Sequence, residues 1–238
     1  MACELDKRIS FGGEEVPAFI AAVPKSTMPK RKGLVTQIAG TNREVVEMEE
    51  AWESYDQTYT LFVGDGSEDS VREAIDEVAR VLSKTGYQVL MDDYDPDHYR
   101  MAYYDGTFKV DNRYTRLGKF DVVFHCRPEK FLVSGNTPVD IATGSTLFNP
   151  TGFASKPLIH ITGSGNGTLT VAGVTMAFTG ITDYLNIDCE RMDVYRLPAE
   201  NKNSLMTGEF PVLKSGDNLI SFTGGISSVT ITPKFWTL

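Results

Sequence analysis

Residues 116–131, RLGKFDVVFHCRPEKF, carry the reading that decides the fold. Phe120, Val122, Phe124 and Cys126 alternate with Asp121, Val123, His125 and Arg127. A period of two, rich in β-branched and aromatic residues, predicts a half-buried strand. Pro128 removes a ladder donor and is expected to end it. Upstream lies one convincing helix pattern; downstream, everything reads as short strands and turns. The stretch is therefore expected to close a first domain, 1–130, and a second is expected over 131–238.

Working back from it, Phe108–Val110, Tyr99–Tyr104 and Tyr87–Met91 read as strands. The helix is predicted to start near Ser67, a suitable N-cap, with Glu68 and Asp69 at the positive end of its dipole. Val71, Ala74, Ile75, Val78, Ala79 and Leu82 recur at helical spacing and define one apolar face. Lys84 falls in the last turn, and Gly86 is placed to end the helix in the left-handed conformation. Tyr59–Val63 is a further strand. Residues 7–24 read as two strands around a Gly12-Gly13 turn. Gly40-Thr41-Asn42-Arg43 is a turn. The stretch Glu44–Glu53, with five glutamates, leaves strand and helical turn both open.

Between these lies PKSTMPKRKG, residues 24–33, with two prolines, four basic residues and almost nothing to bury. By composition it is a solvated loop, as charge runs usually are. The competing reading is an arm that reaches a neighbouring subunit.

Beyond Pro138, Gly, Asn, Thr and Ser dominate. Short apolar runs interrupt them at Leu158–Thr162, Thr168–Val171, Val174–Phe178, Tyr184–Asp188, Arg191–Tyr195, Asp217–Phe222 and Ser228–Thr232. Asn166-Gly167, inside GSGNG, is a strong hairpin signal. Short strands with regularly spaced turns indicate an antiparallel sandwich. The fold class is thus mainly β, with an α+β first part.

The 238 residues suffice for one large or two small domains. There is no long apolar run to cross a membrane, and MACELDKRISFGG lacks the apolar core of a signal peptide. A net charge of −9 argues against nucleic-acid binding, which needs a basic footprint. Cys3, Cys126 and Cys189 are odd in number and lack CxxC spacing, which fits a reduced place of synthesis.

Candidate chemistry is sparse. In DDYDPDHY, Asp93, Asp95 and Asp97 match the opening of an EF-hand loop. His98 and Tyr104, however, replace the required glycine and glutamate, so a polar connection between strands is the better reading. His125 and Cys126 are neighbours on a strand and point to opposite faces. No metal-ligand spacing, dinucleotide loop or nucleophile motif is present, so no enzyme and no cofactor are expected.

Taken in order, the motifs resemble the distal tail protein (Dit) family of siphovirus baseplates, over almost the whole length. ISFGG precedes IAGTNREV, which is similar to the family's "PGRDG"-type turn with Ala39 where proline is usual. YTLFVGDGSEDSVREAIDEVARVLSKTGYQVLMDDYDPDHYRMAYYD resembles its strand, helix, strand and "D-P-x-x-Y-R" run. RLGKFDVVFHCRPEKF, NPTGFASKPLIHITGSGNGTLTV, LNIDCERMDVYR, MTGEFPVLKSGDNLISFTGG and ITPKFWTL follow in family order.

The resemblance implies an N-terminal β-barrel with one flanking helix, related to tail-tube proteins, and a C-terminal galectin-like β-sandwich. It implies a homohexameric ring at the virion tail tip, synthesised in the bacterial host cytoplasm. Its partners would be the major tail tube protein, the tail-associated hub or lysin protein and the tape measure protein. DNA would pass without specific binding, and no membrane is involved. In such a ring Lys25, Lys30, Arg31 and Lys32 of one copy are expected to meet Glu44, Glu47, Glu49, Glu50 and Glu53 of the next. The alternative is a carbohydrate-binding module for host cell-surface glycans. Fold alone does not grant that activity, and Trp236, the one tryptophan of the second half, is read as core.

Overall fold

The computed structural model describes residues 7–63, 68–107, 109, 111–114, 117–197 and 200–238. It divides into two compact units: the residues up to Lys130 together with Leu238, and Phe131–Thr237.

The first unit runs β1 (Arg8–Phe11), β2 (Glu14–Ile20), β3 (Arg31–Gln37), β4 (Glu44–Trp52) and β5 (Tyr55–Val63). It continues with α1 (Glu68–Leu82), β6 (Gln88–Asp92), β7 (His98–Tyr103), β8 (Asp111–Tyr114) and β9 (Leu117–Leu132). Strand order is β9-β5-β2-β1-β6-β7, and β7 pairs back with β9, so six strands close a barrel. The alternation read in β9 is the barrel's inside: Phe120, Val122, Phe124 and Cys126 are all buried. Phe124 lies at an aromatic centre, 5.2 Å from the Phe11 ring and 6.0 Å from that of Tyr59. Gly12 and Gly13 take φ of 60° and 80°, the two positive values that a tight two-residue hairpin turn needs.

Pro128 does not end β9. The β5–β9 ladder finishes at Tyr55↔Cys126, so a missing N–H two residues on removes nothing from it. The glutamate-rich stretch left open between strand and helix is strand β4. The predicted cap Ser67, and Phe108 and Val110 of an expected strand, lie outside the described residues. Helix α1 packs Val71, Val78, Val81 and Leu82 into the barrel core. Lys84 does not serve the helix carbonyls. Its Nζ donates to the carbonyls of Phe11 and Gly12 and pairs with Glu14 at 2.7 Å, fastening the β1–β2 turn. Gly86 is left-handed as expected, with φ of 72°.

The acidic stretch after β6 is a connection whose aspartates serve the fold. Asp92 is buried, and its Oδ1 accepts from the backbone N–H groups of Tyr94 and Asp95, both at 3.0 Å. Its Oδ2 accepts from Tyr59 Oη at 2.6 Å and Arg100 Nη1 at 3.3 Å. Burial, and then the Asp92 charge, push the Tyr59 hydroxyl's pKa up, which keeps it a donor. Asp95 binds His98 at 2.6 Å and Lys130 at 3.2 Å.

The second unit contains β10 (Val139–Ile141), β11 (Ser145–Asn149), β12 (Leu158–Val171), β13 (Val174–Asp188), β14 (Asp193–Tyr195), β15 (Met206–Gly208), β16 (Gly216–Thr232) and β17 (Trp236–Thr237). Its antiparallel sheet has the order β10-β16-β12-β13-β14, with β11 added to β16 and β15 to β13. Here the sequence reading needs correction. Six of the expected short runs pair off as halves of three long strands, β12, β13 and β16. The GSGNG stretch is not a hairpin but the middle of β12, where its register shifts against β13. The turn sits at Ala172-Gly173, with φ of 51° and 87°. Both halves of β12 bury into one core, Ile159 and Ile161 beside Leu169 and Val171. The sheet therefore folds over at its glycines into two facing layers. A Cβ on Gly163 would overlap the Gly225 carbonyl across the strand pair, which is why the fold line is glycine.

Cys126 and Cys189 are free and buried, and burial pushes each thiol up to about 12. That environment leaves them unreactive.

Candidate interface

The barrel unit carries a two-stranded ribbon, β3 and β4, that pairs with no other described strand. Its turn is set by Gly40, at φ of 77°, and by Thr41. The Thr41 N–H and hydroxyl both donate to the Ile38 carbonyl, at 3.2 and 3.1 Å. Every residue from Arg31 to Glu50 is exposed. Val35 faces Val46 and Gly33 faces Met48 on one side, while Leu34 faces Glu47 and Thr36 faces Val45 on the other. Apolar side chains therefore stand on both sides: Leu34 is 62% exposed, Val46 55% and Met48 51%. A lone two-stranded ribbon is marginal in water, and its two edges offer unpaired backbone groups.

The predicted interface residues are placed by this ribbon. Residues 24–33, by composition a solvated loop with an arm as the competing reading, lead into the first strand of the hairpin, and the glutamate stretch is the second strand. Antiparallel return brings their ends together within one chain. Lys30 Nζ lies 3.9 Å from Glu53, and Arg31 Nε donates to the Glu49 carbonyl at 2.8 Å, with its guanidinium 5.7 Å from the Trp52 ring. The Lys25 side chain is exposed, while its carbonyl accepts from buried Gln57 at 3.1 Å. Lys32, Glu44, Glu47 and Glu50 stand exposed along the strands. An exposed pair such as Lys30–Glu53 contributes only roughly 0.2–1 kcal/mol.

The charge reading missed the apolar residues between the glutamates. The available signal was a β-rich stretch, EVVEMEEAW, with no period of two: neither face is buried within the chain, so neither is selected to be polar. Trp236, read as core, is half-buried. Its ring stacks on Phe153 at 4.5 Å, and its Nε1 donates to the Ala154 carbonyl.

No protein-family model and no curated protein matches the chain. Solved structures do. The Dit protein of phage SPP1, described as a paradigm of the hub adsorption apparatus in phages infecting Gram-positive bacteria, superposes with a TM-score of 0.76. The match covers 98% of this chain and 99% of that one, at 14% identity. A chain of the activated phage P2 baseplate, solved with Ca and again with Sr, matches at a TM-score of 0.54 and 9% identity, covering 94% of this chain and 97% of that one. The resemblance carried by the ordered motifs thus extends to the fold: over nearly its whole length this chain is built like a phage distal tail protein.

Proposed function

We propose that this chain is a structural component of the phage tail tip, a baseplate hub subunit that closes into a ring of six. The ring joins the tail tube on one side to the tail-associated hub protein on the other, and the genome passes through it. Residues 1–130 form the ring, and 131–238 form the attached sandwich. The observation that carries this reading is the uncovered β3–β4 ribbon on a barrel whose fold is that of phage hub proteins. A ribbon on one subunit that seats on a different patch of the next makes a heterologous contact, and such contacts close into rings.

The geometry shifts the weight of that contact from charge to apolar surface. Lys30 and Arg31 are already engaged at the ribbon's own base, whereas Val35, Val46, Met48 and Leu34 remain about half exposed. Fully burying such a side chain contributes roughly 1.5–3 kcal/mol, so the remaining half gives about 1 kcal/mol each.

The test is native mass spectrometry, beside a melting curve, of the parent and of Val35→Asp with Val46→Asp. The parent is expected as a hexamer and the variant as a monomer that is still folded and melts cooperatively, at a lower temperature only by the stabilisation that assembly adds. A parent that is monomeric both in solution and within assembled tails overturns the reading. A variant that still assembles like the parent removes the ribbon from the interface.

A further inference from the structure

We infer that β11 is a strand-addition edge, at which an extended, basic and apolar segment of another protein chain joins the sandwich sheet. This goes beyond the ring reading, which concerns the barrel unit. Four described strands border the sandwich sheet: β10, β11, β14 and β15. Such edges are templates for further pairing, and proteins guard them with charge, proline, shortness or cover. Strand β10 has three residues, follows Pro138 and carries Asp140. Strand β15 has three residues and runs into Glu209 and Pro211. Strand β14 is covered by the returning chain: the Lys202 N–H donates to the Val194 carbonyl at 2.6 Å and the Arg196 N–H to that of Glu200 at 3.2 Å. Alone among the four, β11 has five residues and no proline, glycine or charge in Ser-Thr-Leu-Phe-Asn.

The pairing register fixes which backbone groups this edge offers. The Ala172 N–H donates to the Leu219 carbonyl at 3.0 Å, so Leu219 turns its backbone toward β12. Its neighbours Asn218 and Ile220 therefore turn theirs toward β11. Asn218 is opposite Leu147, whose carbonyl also accepts from Asn218 Nδ2 at 3.3 Å. Leu147 thus faces β16, and by alternation Thr146 and Phe148 aim their N–H and C=O groups out of the sheet. No described backbone group pairs with those four, and both residues are exposed. An added strand takes up all four.

The side chains beside the edge set the chemistry of the segment. Phe148 is 60% exposed and Leu219 59%. Phe148 is opposite Asp217 and Thr146 opposite Leu219, so the two apolar residues are diagonal neighbours on one face. Apolar side chains of the added strand cover them. Asp217, across from Phe148, makes no ion pair among the described residues. An arginine laid on the Phe148 ring supplies its counter-charge, and the chain's net charge of −9 favours a basic segment. Area and charge decide against a second copy of this chain as the occupant. Five residues make a strip roughly 17 Å long on a sheet roughly 10 Å thick, a fraction of the roughly 800 Å² per partner in a stable folded interface. A second copy pairing through the same edge also brings no cation to Asp217. A segment added as a strand draws its affinity from main-chain bonds instead.

The experiment titrates the full-length protein with the fluorescein-labelled peptide Thr-Val-Arg-Val-Thr-Val, read by anisotropy, and follows the complex by hydrogen–deuterium exchange mass spectrometry. The peptide is expected to bind with Kd on the order of 100 μM and to slow exchange across 145–149 but not across β10 or β14. Phe148→Lys removes the ring and places a guard charge on the edge, and is expected to weaken binding roughly tenfold. Thr146→Pro deletes one outward N–H while sparing the bonds to β16, and is expected to weaken it as well. Both positions are exposed, so melting curves and ring assembly are expected to match the parent, which separates this edge from the ribbon. Absence of binding at peptide concentrations on the order of 2 mM overturns the proposal. So does binding that leaves exchange across 145–149 unchanged, or equal binding by the parent and Phe148→Lys. Exchange there that slows with protein concentration alone assigns the edge to a second copy and overturns it too.

Discussion

Replacing Asp92 by alanine tests the reasoning about the barrel most directly. Asp92 is 6% exposed and Arg100 9%. The substitution strips Arg100 of its nearest carboxylate, Tyr59 of its acceptor at 2.6 Å, and the Tyr94 and Asp95 N–H groups of theirs at 3.0 Å. Breaking a buried ion pair from one side costs about 3–5 kcal/mol, because the remaining charge stays buried without its partner. Asp95 still lies 3.7 Å from Arg100, which places the expected loss near the lower end, about 3 kcal/mol. With a urea slope of about 2 kcal/mol/M, the midpoint of the barrel unit falls by about 1.5 M. Arg100→Met is the informative companion. It leaves Asp92 with the Tyr59 hydroxyl and two backbone donors, so its cost is expected to be smaller, about 1–2 kcal/mol. The double variant is then expected to lose at least about 1 kcal/mol less than the two single losses together, since the second change removes the charge that the first stranded. Urea unfolding of the four proteins, followed by circular dichroism, measures all of this. An Asp92→Ala loss below about 1 kcal/mol, or strict additivity, would refute the view that these residues act as one buried network.

Two further outcomes are expected. Cys126 and Cys189 should resist iodoacetamide at neutral pH in the native protein and react once it is unfolded, as peptide mapping by mass spectrometry will show; native labelling of either contradicts their burial. Burial raises the Asp95 pKa, but the stronger combined pull of His98 and Lys130 holds it below the ordinary value of 3.8. Its contribution is therefore present above 3.8 and lost as pH falls through the lower folded value. The stability gap between the parent and Asp95→Asn should be open at neutral pH and narrow on acidification; a gap that widens in acid would reverse the sign.

What could be read from the sequence was whatever buries one face of a regular element. Strand β9 alternates because its inner side chains pack against Phe11 and Tyr59, and helix α1 shows its stripe because one side of it lies on the barrel. The Gly12-Gly13 turn and the left-handed Gly86 were legible because backbone conformation there is a local property of glycine. The candidate interface was half legible. Its charges were visible as composition, but that Lys30 meets Glu53 and Arg31 meets Glu49 follows from the antiparallel return of β4, a pairing between distant segments. The ribbon's apolar residues left no periodicity because neither of its faces is buried within the chain.

Only the tertiary structure decided that Gly163–Gly167 continues a strand while Ala172-Gly173 turns. Asn-Gly favours a hairpin locally, but pairing of β12 with both β13 and β16 outweighs one dipeptide, and the approach of Gly163 to Gly225 leaves no room for a Cβ. The same glycines that read as chain breaks are where three continuous strands bend over a shared core, and that bend is a contact between residues about sixty positions apart.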